Sequence, residues 1–264
     1  MTELSEIVTS LGFLGALLAL FLIGEFRTPH RAEQRPDLLR MLQSVTLFAL
    51  GALLARLVLP VTVVAASIFA QHSGWGVLNL LDAPLVLAVP LTLLAMDLTN
   101  FLRHWVQHNV PLLWRLHRLH HSDTQIDLAT ALRFHPLEAL FTSLCHLTMV
   151  VLLGLPFEGV VLYLVAEVLF DFWEHGNLRT PRRLAGLQDW IVTPPVHRIH
   201  HEAHAAHRSV NYGTLFTAWD RLAGTFVAAV PTRPEGRYGL HDPTIQVTNE
   251  LGSMLADPLR GDQS

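Results

Sequence analysis

Cysteine is nearly absent from this chain of 264 residues, which contains one, Cys145. A single cysteine excludes a disulfide framework, a cysteine-rich zinc ribbon and a thiolate-held iron–sulfur cluster. Charged residues are also scarce, at 15%, whereas soluble domains carry about 25%. This deficit argues against an ordinary cytosolic protein, and an apolar content of 51% excludes a disordered one. A formal net charge of −4 gives no indication of nucleic-acid binding.

Long apolar runs are the first feature that is present. Crossing a bilayer as a helix takes about 20 residues, and four runs are candidates: 7–24, 44–70, 77–100 and 137–172. The last run is too long for one span, and Gly154 and Pro156 near its middle predict the turn of a helical hairpin. The chain begins MTELSE, which is acidic where a signal peptide is basic, so we expect a retained anchor.

Arginine distribution predicts the orientation. The loop 25–42 carries four arginines and 71–76 carries none, so the positive-inside rule places 25–42 in the cytoplasm. Counting spans then places 103–136 and everything after the hairpin on the same side. The predicted fold is all-α, a polytopic membrane helical bundle with a cytoplasmic helical cap. We divide it into N-terminal transmembrane helices (1–94), a catalytic region that includes the hairpin (95–230) and a loosely ordered tail (231–264).

Histidine is the second feature, because eleven of the sixteen histidines fall within 104–135 and 197–207. Three motifs account for most of them: HxxxH at 104–108, HxxHH at 117–121 and HxxHH again at 197–201. Residues three or four apart share a helix face, so their imidazoles can point at one ion. Eight imidazoles exceed the needs of one metal and divide naturally between two. Imidazole suits Fe, Zn, Cu and Ni alike, so the ligand type does not select the metal.

These motifs resemble the sterol desaturase / fatty acid hydroxylase superfamily of membrane di-iron oxygenases. The resemblance extends to TALRFHPLE at 130–138, NYG at 211–213 and WDR at 219–221, and it covers about 95–226. One departure is that the first motif contains Arg103-His104 where many members have the order His-Arg. The HxxxH spacing nevertheless survives.

The resemblance implies a lipid oxygenase that holds two Fe ions, for which Zn can substitute, and takes O₂ as co-substrate. The implied ligands are His104, His108, His117, His120, His121, His175, His197, His200 and His201, where His175 matches a further family position in WEHGN. Four residues are candidate ligands or supports of ligands: His135, Asp97, Asn177 and His204. Asp123 and Glu174 are further candidates for holding imidazoles, since bound histidines usually donate their second N–H to such groups.

The implied partners are a lipid substrate, the membrane and an external electron donor of the ferredoxin or cytochrome type, with no nucleic acid. The donor is expected because neither a GxGxxG after a strand nor a CxxCH occurs in the sequence. The implied location is a bacterial inner membrane, with the histidine site on the cytoplasmic side. Hydroxylation of a fatty acyl, sterol or isoprenoid chain is the simplest reaction, and desaturation and ether-lipid cleavage stay open.

Two other readings also stay open. A zinc-dependent membrane hydrolase is suggested by His201-Glu-Ala-His204, which is one residue short of HExxH. A membrane protein that only stores or carries metal would explain the histidines but would leave the NYG and WDR segments without a purpose. Two irons with O₂-dependent lipid turnover would distinguish the oxygenase from both.

Overall fold

The computed structural model describes residues 3–34, 37–204, 207, 209–230, 236–240 and 249–259, and within these ranges the chain is helical with three isolated β-bridges. The α-helices are α1 (Glu3–Arg27), α2 (Leu38–Val58), α3 (Val63–Ser73), α4 (Val77–Leu80), α5 (Leu85–Asn109), α6 (Pro111–His121), α7 (Pro136–Leu153), α8 (Phe157–His175), α9 (Pro194–His200), α10 (Ala218–Ala223) and α11 (Leu251–Ala256). Short 3₁₀ helices lie at Thr130–Leu132, Arg182–Asp189 and Asp257–Leu259. The all-α prediction is confirmed.

Three segments of the described chain are long and apolar enough to cross a membrane: Leu38–Leu80, Leu85–Asn109 and Pro136–Leu153. The bounds predicted from the sequence need correction in two places. The run 44–70 is divided between α2 and α3 near Pro60, whose ring removes a backbone N–H and interrupts the helix. The run 77–100 is divided by a turn before Leu85, after which α5 continues through both histidines of the first motif.

Glycines allow the far end of the bundle to close. Gly154 ends α7 with a left-handed φ of 66°, and with Pro156 it forms the turn of the α7–α8 hairpin. A Cβ on Gly154 would lie 2.3 Å from the Trp75 carbonyl oxygen, and one on Gly76 would lie 2.2 Å from the Gly154 nitrogen. Asn79 donates to the Gly154 carbonyl at 3.1 Å. The loop after α3 and the hairpin turn therefore meet backbone to backbone.

The core lies where α5, α7 and α8 pack together. Met96, Val150 and Tyr163 are fully buried there, and Gly159 lets α8 approach α5 closely because a Cβ would lie 2.7 Å from Thr92. Small residues at helix contacts are typical of helices that associate within a membrane. Large apolar side chains such as Leu57, at 74% exposure, point outward instead, which is a surface that lipid can cover.

At the end of the bundle opposite the hairpin turn, buried Arg40 and Glu25 hold α2 and α1 to the helical cap, which is the part of the chain that follows α5 and α8 at this end. Arg40 of α2 pairs with Asp123 at 2.6 Å, in the segment between α6 and α7. Glu25 of α1 accepts a hydrogen bond from the backbone N–H of Asn177, just after α8, at 2.7 Å. The arginine-bearing loop after α1, the segment between α5 and α7 and the chain after α8 therefore gather at one end. This end is opposite the hairpin turn, as the predicted topology requires.

The expectation of a loosely ordered tail is wrong over 251–259. Met254 is fully buried against Leu47 and Leu119, and Asp257 accepts a hydrogen bond from the buried Arg118 at 2.7 Å. The polar composition of the tail gives no indication that Met254 and Asp257 anchor it to the rest of the protein. The other parts of the tail at 231–235, 241–248 and 260–264 lie outside the described residues.

Candidate metal centre

Nine buried histidines gather at the cap end of the bundle in two groups. Within each group the candidate ligand nitrogens all lie within 4.8 Å of one another. The first group contains His104, His108, His117, His121 and His200, and the second contains His120, His175, His197 and His201. These are the nine residues that the sequence analysis names as ligands, and the structure brings all of them together.

Helix geometry explains why the HxxHH motif supplies both groups. Successive residues of an α-helix point about 100° apart, so His120 and His121 enter different groups, and so do His200 and His201. Residues four apart share a face, which puts His117 with His121. The groups are neighbours, since the ring centroids of His121 and His201 lie 4.5 Å apart.

The contacts of the second group fit a metal ion better than hydrogen bonds. The Nε2 atoms of His120 and His197 lie 3.1 and 2.9 Å from Nε2 of His175, and Nε2 of His201 lies 3.1 Å from Nε2 of His197. His175 donates its Nδ1–H to the Asp171 carbonyl at 2.8 Å, so its Nε2 carries no hydrogen. His197 can then donate to His175 but cannot also accept from His201.

A single ion would satisfy all four of these nitrogens. At a metal–nitrogen distance of about 2.1 Å, two ligands at right angles are about 3.0 Å apart, which matches the observed spacings of 2.9 to 3.1 Å. Imidazoles are the donors that iron, zinc, copper and nickel accept. The donor set of the second group therefore fits a transition-metal ion.

Oxygen acceptors orient the rings of the first group. The Nδ1 atoms of His104, His117 and His200 donate to the Tyr212 carbonyl at 2.9 Å, the Glu138 carboxylate at 2.6 Å and the Val210 carbonyl at 2.7 Å. Each of these rings must then present a lone pair at Nε2. The Nε2 atoms of His104, His117, His121 and His200 are buried without a hydrogen-bond partner among the described residues. Leaving a buried polar group unpaired costs about 1–3 kcal/mol, so the four Nε2 atoms indicate a site where a metal ion would bind them.

Burial also favours the neutral form of three of these imidazoles, His121, His200 and His201. Desolvation lowers the pKa of His121 and His201 well below the ordinary value, and neighbouring imidazoles lower it further. Desolvation lowers the pKa of His200 to about 3. Neutral imidazole is the form that binds a metal, so these groups need not lose a proton near pH 7.

Glu138 is a supporting residue that sequence reasoning missed. Its Oε1 atom accepts from His117 Nδ1 and also from Gln107 at 2.9 Å, and Arg103 lies 3.9 Å away. It lies in the first turn of α7, at the end of the TALRFHPLE segment. The TALRFHPLE segment could have indicated this role, but in the sequence its histidine is the more obvious candidate ligand than its glutamate.

His135 lies outside both groups and caps α7 instead. Its Nδ1 accepts from the Leu137 N–H at 3.2 Å, and its Nε2 donates to the Leu255 carbonyl at 3.3 Å. The adjacent Pro136 begins the helix, and a side-chain acceptor just before the first turn satisfies a backbone N–H that the helix leaves unpaired. The structure therefore gives His135 a role in positioning α7.

Asp97 supports the centre from a distance. It accepts hydrogen bonds from the Leu215 N–H at 2.9 Å and from the Trp219 indole N–H at 2.8 Å. Its hydrogen bonds within the described residues therefore go to a loop and to Trp219, and none goes to an imidazole, which was the role expected from the sequence. The loop that it holds begins near Tyr212, whose carbonyl orients His104, so Asp97 acts through that loop.

The NYG segment is a loop that Asp220 of the WDR segment, in helix α10, holds by hydrogen bonds. Asn211 takes a left-handed φ of 55°, and its side chain donates to the Val196 carbonyl at 3.0 Å. Asp220 accepts from the N–H groups of Tyr212 at 2.8 Å and Gly213 at 2.7 Å. Arg221 of the WDR segment pairs with Asp189 at 2.9 Å. The loop thus places the Tyr212 carbonyl.

The remaining candidate supports differ in their distance from the rings. Glu174 is buried beside the second group, with Oε2 3.6 Å from His197 Nδ1. Asp123 pairs with Arg40 and fastens α2 to the cap. Asn177 binds the backbone of Arg31 through both atoms of its amide, at 2.8 and 3.1 Å. Glu174 is the one of these three whose side chain approaches a ring of either group.

His204 lies outside both groups, and its ring packs against His207 with centroids 5.0 Å apart. A zinc hydrolase built on His201-Glu-Ala-His204 would need both histidines on one ion. In the described part of the chain they do not share a group, since His201 belongs to the second group.

A helical chain with apolar crossing segments and a buried polyhistidine centre defines a class of membrane metalloprotein. The fatty acid hydroxylase family model matches residues 89–225, which is just over half of the chain. The chain belongs to the fatty acid hydroxylase family and is an integral membrane protein. The match covers nearly the same residues as the resemblance found in the sequence.

Named relatives are lipid-modifying enzymes. The chain is 28% identical over 233 residues to alkylglycerol monooxygenase of Danio rerio, covering 88% of this chain and 49% of the relative. It is 33% identical over 144 residues to the ornithine lipid hydroxylase OlsE of Rhizobium tropici, covering 54% and 43%. Identity to cholesterol 25-hydroxylase of Homo sapiens is 28% over 144 residues, covering 53% and 52%. The chain spans about half the length, or less, of these curated relatives. No solved structure matches.

Proposed function

We propose that this protein is an oxygenase that uses two iron ions and O₂ to hydroxylate an aliphatic C–H bond of a membrane lipid. The observation that carries the proposal is the pair of adjacent groups of buried imidazoles at one end of an apolar helical bundle. Family membership and the lipid-modifying relatives support the same reading.

The irons, when bound, supply the O₂ activation and the oxidising power, and the chain supplies everything else. The first group would hold one ion and the second group the other, since each offers four or five imidazoles. Tyr212, Glu138 and Val210 fix three rings by accepting their Nδ1–H. Burial of the ligands excludes water, because the most exposed of them, His104 and His108, are 7% exposed.

Neutral imidazole ligands would leave the two metal ions with more net positive charge than carboxylate ligands would, and this charge would affect their reduction potential. The centre also lies where the apolar helices meet the polar cap, so a lipid chain can approach from the bilayer and electrons from the aqueous side. Hydroxylation converts RH, O₂, two electrons and two protons into ROH and water. Since the lipid does not supply these electrons, we propose an external ferredoxin- or cytochrome-type donor.

The orientation that we propose is cytoplasmic, in a bacterial inner membrane. The arginines of the loop after α1 support it through the positive-inside rule. The same loop contacts the chain after α8, because the backbone N–H of Arg31 donates a hydrogen bond to the side-chain oxygen of Asn177.

A second candidate reaction is cleavage of an ether lipid at the same site. The observation that favours it is the length of the similarity to alkylglycerol monooxygenase, which covers 88% of this chain and so extends beyond the family match. Hydroxylation of the carbon beside an ether oxygen gives a hemiacetal, which separates into an aldehyde and an alcohol. The two candidates therefore share one oxygen-insertion step and differ in the lipid.

The test uses the full chain in lipid nanodiscs, loaded with Fe²⁺ and supplied with a reduced ferredoxin under ¹⁸O₂. An alkylglycerol, an ornithine lipid and a fatty acyl phospholipid are offered separately, and the products are identified by mass spectrometry. We expect two irons per chain and one ¹⁸O atom in the product of at least one lipid. An aldehyde from the alkylglycerol would select ether cleavage, and an unsaturated product without ¹⁸O would select desaturation.

Variants assign the activity to the centre. We expect His120→Ala and His200→Ala to abolish turnover while membrane insertion stays intact. His72→Ala, an exposed histidine at the far end of the bundle, should retain full activity. Full activity in either centre variant, or one zinc ion with O₂-independent hydrolysis, would overturn the proposal. Turnover with NADPH and no added carrier would refute the external donor.

A further inference from the structure

A cavity of about 370 Å³ lies behind the third histidine motif. Pro195 and Ile199 of α9 line it, and residues four apart share one face of a helix. His197 and His201 lie on the other face of the same helix, where they belong to the second imidazole group. The cavity is therefore separated from the metal centre by the thickness of α9.

The floor of this cavity is apolar. Pro181, Leu184 and Ala185 line it from the segment that contains the 3₁₀ helix Arg182–Asp189, and Val230 closes it from the chain after α10. Its volume lies within the range of about 300–1,000 Å³ that small-molecule sites occupy. An alkyl chain of modest length is a chemical match for such a surface.

The charge around the cavity is positive. Arg179 and Arg182 are exposed at its rim, and Arg198 is buried in its wall. In the part of the chain that the structure describes, Glu202 is the one acidic side chain that lines it. The Glu202 carboxylate already accepts a hydrogen bond from His207 Nδ1 at 2.8 Å. An anionic group between the arginines would balance the excess charge.

We propose that this cavity binds an anionic amphiphile, a single alkyl chain with a phosphate or carboxylate head. The head lies against Arg179 and Arg182, and the chain lies on the apolar floor. The site is on the outer face of α9, away from the imidazoles, and its existence does not depend on the proposed oxygenase activity.

The test measures binding by calorimetry to the full chain in phosphatidylcholine nanodiscs, with empty nanodiscs as the reference. The probes are dodecyl phosphate, laurate, inorganic phosphate as the head alone and dodecyl maltoside as an uncharged chain. We expect saturable binding of the first two probes and much weaker binding of the last two. The double variant R179E/R182E should weaken dodecyl phosphate about tenfold or more, because it reverses both rim charges.

Arg183→Glu is the matched control, since Arg183 is an exposed neighbour that does not line the cavity. It should leave the affinity within about twofold, whereas Ala185→Trp should abolish binding by filling the floor. Equal weakening by Arg183→Glu and the double variant would overturn the proposal by reducing it to general surface attraction. Inorganic phosphate binding as tightly as dodecyl phosphate would overturn the amphiphile. Heat no greater than that of empty nanodiscs would overturn the site itself.

Discussion

Replacement of Glu138 tests whether the orientation of one imidazole controls metal retention. Its Oε1 accepts the Nδ1–H of His117 at 2.6 Å and an N–H of Gln107 at 2.9 Å, and the guanidinium of Arg103 is 3.9 Å away. A hydrogen bond to a charged group contributes about 1.5–3 kcal/mol. Removing a partner of a ligating histidine costs about 10- to 100-fold in metal affinity or activity, which is about 1.4–2.7 kcal/mol.

The two substitutions at this position should differ. Glu138→Gln keeps an acceptor oxygen and loses the charge, so we expect metal affinity to fall about tenfold, the lower end of that range. Glu138→Ala removes the acceptor from His117, Gln107 and Arg103 together, so we expect the upper end, about 100-fold. Metal affinity is measured by titration against a chelator of known strength, and bound metal by mass spectrometry.

Glu158→Gln is the matched control for this series. Glu158 is an exposed carboxylate in the first turn of α8, at the far end of the bundle. It should leave both metal affinity and activity unchanged. If Glu138→Ala retained metal as tightly as the Glu158 variant, with helical content intact by circular dichroism, the reasoning from the Nδ1 contact would be refuted.

Two further predictions concern stability. Asp257→Ala removes the carboxylate that pairs with the buried Arg118. Since breaking a buried ion pair costs about 3–5 kcal/mol, the thermal unfolding midpoint should fall sharply; an unchanged midpoint would show that this carboxylate does not anchor the tail. Gly154→Ala should destabilise the protein more than Gly74→Ala. Both glycines have a left-handed φ, so each substitution costs roughly 1–2 kcal/mol in backbone strain. Only at Gly154 would the new Cβ also clash, because it would lie 2.3 Å from the Trp75 carbonyl oxygen, whereas a Cβ at Gly74 meets nothing within 4 Å. Equal losses in denaturant or thermal unfolding would contradict the packing of the two turns.

Much of the fold was predictable because its signals are local. Apolar runs reveal the helices, and Gly154 with Pro156 reveals the hairpin turn. The break near Pro60 was visible as an interruption, but whether it divides the run into two helices depends on what packs against it. The anchored tail was missed because Met254 and Asp257 are single residues whose partners lie over 100 positions away.

Part of the imidazole set was predictable for a different reason, since helical spacing brings residues such as His117 and His121 to one face, whereas the full set, including His175, was implied by the family resemblance. Their supports were not predictable, because several are backbone carbonyls, such as that of Tyr212, and any residue type supplies a carbonyl. Asp97 shows the opposite error. It was a candidate ligand or support of a ligand, but its side chain accepts a hydrogen bond from Leu215 in a distant segment instead. Spacing reports which face a residue occupies and does not report which neighbour fills that face.

Helix α9 and the anchoring residue Asp257 both lie late in the chain, and this order has a consequence for biosynthesis. Ribosomes deliver the chain from the N-terminus at about 5–20 residues per second, so the hairpin emerges well before α9 and the segment 251–259. The crossing helices can therefore be integrated while two of the four imidazoles of the second group, His197 and His201, are still unsynthesised. Assembly of the two imidazole groups is then a late step, and a chain truncated before α9 would insert into the membrane without completing either group.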